Sequence, residues 1–233
     1  MLIYLSFIFG TRPELIKLAP VILKARQDSR FEVNVVFTGQ HLELVQDAIE
    51  FFQIEIDHHL QIMQPGKSLN ILLSKALSEL DQVYSEMLKC DVIVVQGDTT
   101  TVLAGALVAF NLNIHLAHVE AGLRSFDLMH PFPEEGNRQL VSRLARWHFA
   151  PTQLSAENLY QENISKQHIF ITGNTVVDAI HYARELIESS SQQSQQRLER
   201  LGLNLSGQHQ LVLLTAHRRE NFGEGIQNIC AVI

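Results

Sequence analysis

The stretch LIYLSFIFGTRPELIKLAPVILKAR, residues 2–26, decides the fold. Its first part, Leu2–Phe9, is almost continuously apolar, as expected of a strand covered on both faces. Gly10 then turns the chain. Thr11 and Glu14 have the Thr-x-x-Glu spacing of a capping box, and Pro13 lies in the first helical turn. Leu15, Leu18, Ala19, Ile22 and Leu23 recur at i, i+3, i+4, i+7 and i+8, which predicts an amphipathic helix that Pro20 should kink. A buried strand running straight into such a helix is half of a parallel βαβ unit.

The same alternation continues along the chain. Strands are predicted at Phe31–Phe37, Val92–Val95, Ile114–Val119, Trp147–Ala150, His168–Thr172 and Leu211–Thr215. Helices are predicted over 41–52, 69–87, 100–110, 134–146, 152–162 and 174–189. This pattern gives the α/β class with a doubly wound parallel sheet. No internal repeat is present. The polar, Gln/Ser-rich stretch 189–210 reads as a surface helix end and loop, after which a new βα unit begins.

Composition narrows the function. With 233 residues, 46% hydrophobic and 18% charged, the chain is globular. Eighteen basic against 25 acidic residues give a net charge of −7, a poor match for nucleic acid or an anionic membrane. Two cysteines, Cys90 and Cys230, exclude a disulfide scaffold and a four-cysteine zinc site and suit a reducing cytoplasm. The apolar N-terminus has no positively charged leader region and no small-residue cleavage site, so it reads as a strand and not as a signal peptide. The longest charge-free stretch, Thr99–Val119, contains Asn111, Asn113, His115 and His118, which argues against a membrane span.

In open α/β sheets, ligands bind beyond the carboxyl ends of the strands. Those ends carry Gly10-Thr11-Arg12, Gly97-Asp98-Thr99, Glu120-Ala121-Gly122 and His217-Arg218-Arg219. Each piece also has a plainer reading. Gly10 could be only a tight turn, Asp98 only a helix N-cap, and Glu134-Glu135 only acids at a helix start. His115, His118 and Glu120 resemble metal-ligand spacing, but alternation along a strand puts His115 on the face opposite His118 and Glu120, and no metal is expected. No G-x-G-x-x-G or G-x-x-x-x-G-K-[ST] motif occurs, so neither a dinucleotide fingerprint nor a P-loop is present.

Together the motifs Gly10-Thr11-Arg12-Pro13-Glu14, Gly97-Asp98-Thr99-Thr100-Thr101, His118-Val119-Glu120-Ala121-Gly122-Leu123-Arg124, Pro133-Glu134-Glu135-x-Asn137-Arg138, Gly173-Asn174-Thr175 and His217-Arg218-Arg219-Glu220-Asn221 resemble the non-hydrolysing UDP-N-acetylglucosamine 2-epimerases. The resemblance implies a Rossmann-like N-terminal domain over 1–172 bearing the catalytic carboxylates. Residues 173–233 would be a linker helix and the start of a UDP-binding domain, in a glycosyltransferase-B type two-domain architecture whose second domain is incomplete. It implies an isomerase that interconverts UDP-GlcNAc and UDP-ManNAc for surface polysaccharide precursors, with no cofactor and no metal. It implies a UDP-sugar as partner, a homodimer through the N-terminal domain, and a cytoplasmic location. Asp98, Glu120, Glu134 and His217 match the family's catalytic positions, and Arg12, Lys17 and Arg138 its substrate-binding ones. The Arg that commonly follows the Gln-His pair in this family is Leu42 here. The family is also well over a hundred residues longer, so residues 1–233 alone are expected to be inactive. A hydrolysing epimerase that releases ManNAc, and a catalytically dead interaction partner, are the competing readings.

Overall fold

The computed structural model describes residues 2–39, 42–62, 66–189, 191–203, 212 and 224–232. Its described part divides into two units, Met1–Leu186 and Ile187–Ile233.

The first unit is a parallel sheet of seven strands: β1 (Ile3–Phe9), β2 (Phe31–Phe37), β3 (His58–His59), β4 (Val92–Gln96), β5 (His115–Val119), β6 (Trp147–Ala150) and β7 (Ile169–Ile171). Their spatial order is β3-β2-β1-β4-β5-β6-β7. The chain winds outward from β1 in one direction and then, through β4, in the other. Seven helices belong to this winding: α1 (Arg12–Arg26), α2 (Leu42–Phe52), α3 (Leu69–Gln82), α4 (Thr100–Asn111), α5 (Glu134–Leu144), α6 (Gln153–Gln161) and α7 (Thr175–Ser189).

Right-handed crossovers send helices to opposite faces when the winding direction reverses. Phe7, Phe9, Val92, Val94, Ala117 and Val119 point to the face covered by α1 and α2, with Ala179 of α7 in the same cluster. Ile8, Ile93, Val95 and Leu116 point to the other, against α3, α4 and Val141 of α5. Period-2 alternation within strands that are largely apolar therefore feeds two cores at once. A third, small cluster of Ala121, Ala150, Ala156, Leu159 and Ile169 seats α6. Because the crossovers after β4 use the second face, the first face keeps an apolar trough of about 630 Å³ between Ile3, Leu5, Trp147, Phe149 and Phe170.

The expected α/β class and parallel sheet hold, with local differences. The edge strand β3 was not expected, since its two residues are both histidines and form no apolar run. The helix expected over 69–87 ends at Gln82 and continues as one π turn, Val83–Met87. Within that turn Tyr84 is buried, its hydroxyl 2.6 Å from Ser6 Oγ. Pro20 lies inside α1 without ending it. The expected strand Leu211–Thr215 lies outside the described residues, apart from Val212. In the second unit, α8 (Ser191–Arg200) closes on Gly202, whose φ of +75° suits the left-handed end of a helix, and α9 spans Glu224–Val232. Among the described residues no helix is long and apolar enough to cross a membrane.

Candidate active site at the carboxyl ends of the strands

The loop after β1 opens α1. Glu14 turns back on this loop, its Oε2 accepting the amides of Gly10 at 2.9 Å and Thr11 at 2.6 Å. That is the acid half of the expected capping box. Arg12, the first residue of α1, is exposed and makes no ion pair among the described residues.

One turn further along α1, Lys17 reaches Glu120. Its Nζ donates to both carboxylate oxygens, at 2.8 and 2.7 Å. Glu120 also accepts from Gln96 at the end of β4 and from Asn174 before α7, the latter at 3.1 Å. Three donors from three separate segments thus fix one carboxylate that is 11% exposed. Glu120 stands just past β5 with φ +65°, a left-handed conformation that a non-glycine residue adopts at a cost. The alternation expected to place His118 and Glu120 on one strand face therefore stops at Val119.

Asp98 forms the second pair. Arg138 Nε donates to its Oδ2 at 2.8 Å and Nη2 lies 2.5 Å from the same oxygen. Asn137 holds the Asp98 carbonyl at 2.7 Å. The plainer reading of Asp98 as the cap of α4 is not what forms: Thr99 is the N-cap, its Oγ accepting from Val102 N at 3.3 Å. This leaves the Asp98 carboxylate to Arg138.

The two acids that open α5 separate by burial. Glu135 is fully buried. It accepts from Ser125 N at 3.1 Å, Phe126 N at 3.3 Å and Gln139 at 2.9 Å, and pairs with Arg138 at 3.4 Å. Burial opposes its ionisation, but these donors together hold its pKa below the usual carboxylate range. Glu134 differs. Its Oε2 is buried and has no hydrogen-bond partner among the described residues. An uncommitted buried carboxylate oxygen is costly unless something else uses it.

Of the residues singled out in the sequence, Lys17 and Glu120 meet, and Asp98 and Arg138 meet, whereas among the described residues Glu134 Oε2 has no hydrogen-bond partner and Arg12 no ion pair. His217 lies outside the described residues. Gln96, Asn174, Glu135 and Asn137 were given no role in the site, although Glu135, Asn137 and Asn174 stand inside the quoted motifs and Gln96 ends a strand next to Gly97. Among the described residues no group of three or more His, Cys, Asp or Glu side chains is placed to hold a metal. His115 instead packs its ring against Trp147, with Arg146 Nη1 at 2.8 Å.

Behind the site, His118 is buried with Nε2 2.8 Å from the carbonyl of Gly97, so that nitrogen carries the proton. Its strand neighbour His148 is buried too, and Nδ1 of each lacks a partner among the described residues. Burial pushes the His118 pKa down to about 4, against the bond to Gly97, and the charges of Arg124 and Arg138 push it the same way. Burial first, then His118 beside it, push His148 down to about 4. Both are neutral in the native state. The unfolded chain binds these protons near pH 6.5, the native state only near pH 4. Between those values the unfolded state holds more protons, so stability falls as pH drops through that window, by up to about 3 kcal/mol per group. The urea midpoint is expected to drop between about pH 6.5 and pH 4.5, and to drop less in a His118→Gln/His148→Gln variant. Equal pH slopes for the two proteins would contradict this.

The family model described as UDP-N-acetylglucosamine 2-epimerase matches residues 23–233. The chain is 43% identical to the UDP-N-acetylglucosamine 2-epimerase of Salmonella typhimurium over 226 residues, which are 97% of this chain and 60% of that one. It is 44% identical to that of Escherichia coli K12 over 223 residues, 96% of this chain and 59% of that one. The crystal structure of UDP-GlcNAc 2-epimerase from Neisseria meningitidis bound to UDP-GlcNAc matches with a TM-score of 0.87 and 41% identity, covering 97% of this chain and 60% of that one. The expected fold, a Rossmann-like sheet of glycosyltransferase-B type, agrees with that likeness. The chain spans about 60% of the length of these relatives. On the family model and on this identity, the chain belongs to the UDP-N-acetylglucosamine 2-epimerase family.

Proposed function

We propose that the chain supplies the carboxylate-bearing part of a non-hydrolysing UDP-N-acetylglucosamine 2-epimerase, which interconverts UDP-GlcNAc and UDP-ManNAc for surface polysaccharide precursors. One observation carries this reading. Two cation–carboxylate pairs, Lys17–Glu120 and Arg138–Asp98, join the ends of adjacent strands β4 and β5 to α1 and α5, and Glu134 on α5 keeps an uncommitted oxygen.

The reaction suits that set. The proton on C2 of the sugar is weakly acidic, so direct inversion at carbon is unfavourable. Elimination avoids this. A carboxylate takes the C2 proton, the C1–O bond breaks with its electron pair going to UDP, and a C1–C2 double bond forms. Re-addition reverses the flow: a UDP oxygen bonds to C1 and a carboxyl returns a proton to the other face of C2. Glu134 is assigned the proton because its Oε2 is not held by another donor among the described residues. Asp98 and Glu120, each an ionised carboxylate oriented by its cation, stabilise positive charge developing at C1. Arg12 offers a guanidinium to the departing diphosphate, and the motif match adds His217 to the same task. A homodimer through the N-terminal domain and a cytoplasmic location belong to the same proposal. A reducing compartment suits Cys90, whose thiol burial pushes up to about 12, so that it stays protonated and unreactive.

The test is product analysis. A polypeptide that carries residues 1–233 and is completed with the remaining segment of the E. coli relative is incubated with UDP-GlcNAc and followed by proton and phosphorus NMR. UDP-ManNAc at equilibrium with UDP-GlcNAc is the expected result. Accumulation of free ManNAc with equal UDP would show a hydrolase instead.

A further inference from the structure

Glu14 stands apart from the other acids of the site. It is 2% exposed, and no cation pairs with it among the described residues. Besides the amides of Gly10 and Thr11 on Oε2, its Oε1 accepts the hydroxyl of Thr99 at 2.7 Å, across 85 residues of sequence. The directions of these bonds are fixed. The two amides only donate. The ionised carboxylate of Glu14 only accepts, so the Thr99 hydroxyl donates to it while the same oxygen accepts from Val102 N. Burial pushes the pKa of Glu14 upward while all these donors oppose it. The carboxylate sits at the N-termini of both α1 and α4, where the helix dipoles favour an anion. A capping acid needs only the amide of the cap residue, here Thr11. The bonds to Gly10 and Thr99 go beyond that, and they tie together two loops whose next residues are Arg12 and Asp98.

We propose that Glu14 is a positioning residue that locks the loop bearing Arg12 to the loop bearing Asp98; its consequence for turnover rests on the epimerase reading above. The lock is read first without any activity, by NMR amide exchange in the 233-residue chain. Thr99→Val removes the hydroxyl and is expected to speed exchange at Gly10 and Thr11 by about tenfold, while Thr99→Ser leaves both within about twofold. Unchanged protection in Thr99→Val would overturn the lock. Because loss of the α4 cap could unfold that variant, Glu14→Gln supplies the reverse measurement. It keeps an acceptor for Gly10 and Thr11 but presents an NH₂ to Thr99, so the Val102 amide is expected to exchange about fivefold faster. No change at Val102 would overturn the proposal equally.

The second arm is a double-mutant cycle in the completed polypeptide. Arg12→Ala and Glu14→Ala should together raise KM at least about threefold less than the product of their separate effects. Simple multiplication would reduce Glu14 to a helix cap and overturn its positioning role. Absence of epimerase turnover in the unmutated polypeptide would count against the epimerase reading, and the exchange measurements would still decide the lock.

Discussion

Replacing Asp98 with asparagine is expected to cut the turnover of UDP-GlcNAc by the completed polypeptide at least about a hundredfold, the usual scale for an acid–base or charge-stabilising group. The fold should survive. The asparagine side chain keeps the shape and one oxygen for Arg138 Nε, and the cap of α4 belongs to Thr99, which is untouched. The lost ion pair is 18% exposed on one side and 23% on the other, so its loss costs about 1 kcal/mol of stability. A large fall in kcat with a nearly unchanged melting temperature separates a chemical role from a structural one. Near-normal kcat would remove Asp98 from the chemistry.

The largest effect on stability is expected at Gly122. This residue has φ +85°, and an added Cβ would collide with the carbonyl of Ser155, lie 2.8 Å from its carbon and 3.0 Å from Leu159 Cδ1. Backbone cannot give way as a side-chain tip can. The loop is also held from both sides: Asn158 donates to the Gly122 carbonyl at 2.9 Å, and the buried Arg124 is bound by both oxygens of Glu162, at 2.5 and 2.9 Å. Gly122→Ala is therefore expected to destabilise by on the order of 3 kcal/mol or more, combining overpacking with a strained left-handed alanine. For a domain of this size that corresponds to a fall of roughly 6–12 °C in melting temperature. A melting temperature within about 2 °C of the unmutated chain would show that the loop yields, and that the close approach of α6 does not fix Glu120 two residues upstream.

How much of this was legible in the sequence follows from the kind of signal each residue carries. Strands β1, β4 and β5 were readable because burial on both faces demands apolar residues at most positions. α1 was readable because its cap, its proline and its apolar stripe agree. β3 was not, since an edge strand of two residues needs no apolar pattern. The site was legible as a set of strand ends and not as a set of bonds. Nothing in spacing says that Lys17 meets Glu120 across 103 residues, or Arg138 Asp98 across 40. Glu134 and Glu135 look alike as acids at a helix start. The 100° turn between them buries Glu135 against the amides of Ser125 and Phe126 and leaves an oxygen of Glu134 uncommitted. Glu14 read as a local cap, because its bond to Thr99 depends on how β1 and β4 lie side by side in the sheet.

In the proposed reaction these carboxylates carry out elimination and re-addition across C1 and C2. The most direct measurement runs the completed polypeptide with UDP-GlcNAc in heavy water and reads C2 of the product by NMR. A carboxyl that gives up the C2 proton to solvent before returning one to the opposite face should leave deuterium at C2 of UDP-ManNAc. UDP-ManNAc formed with only protium at C2 would contradict the account.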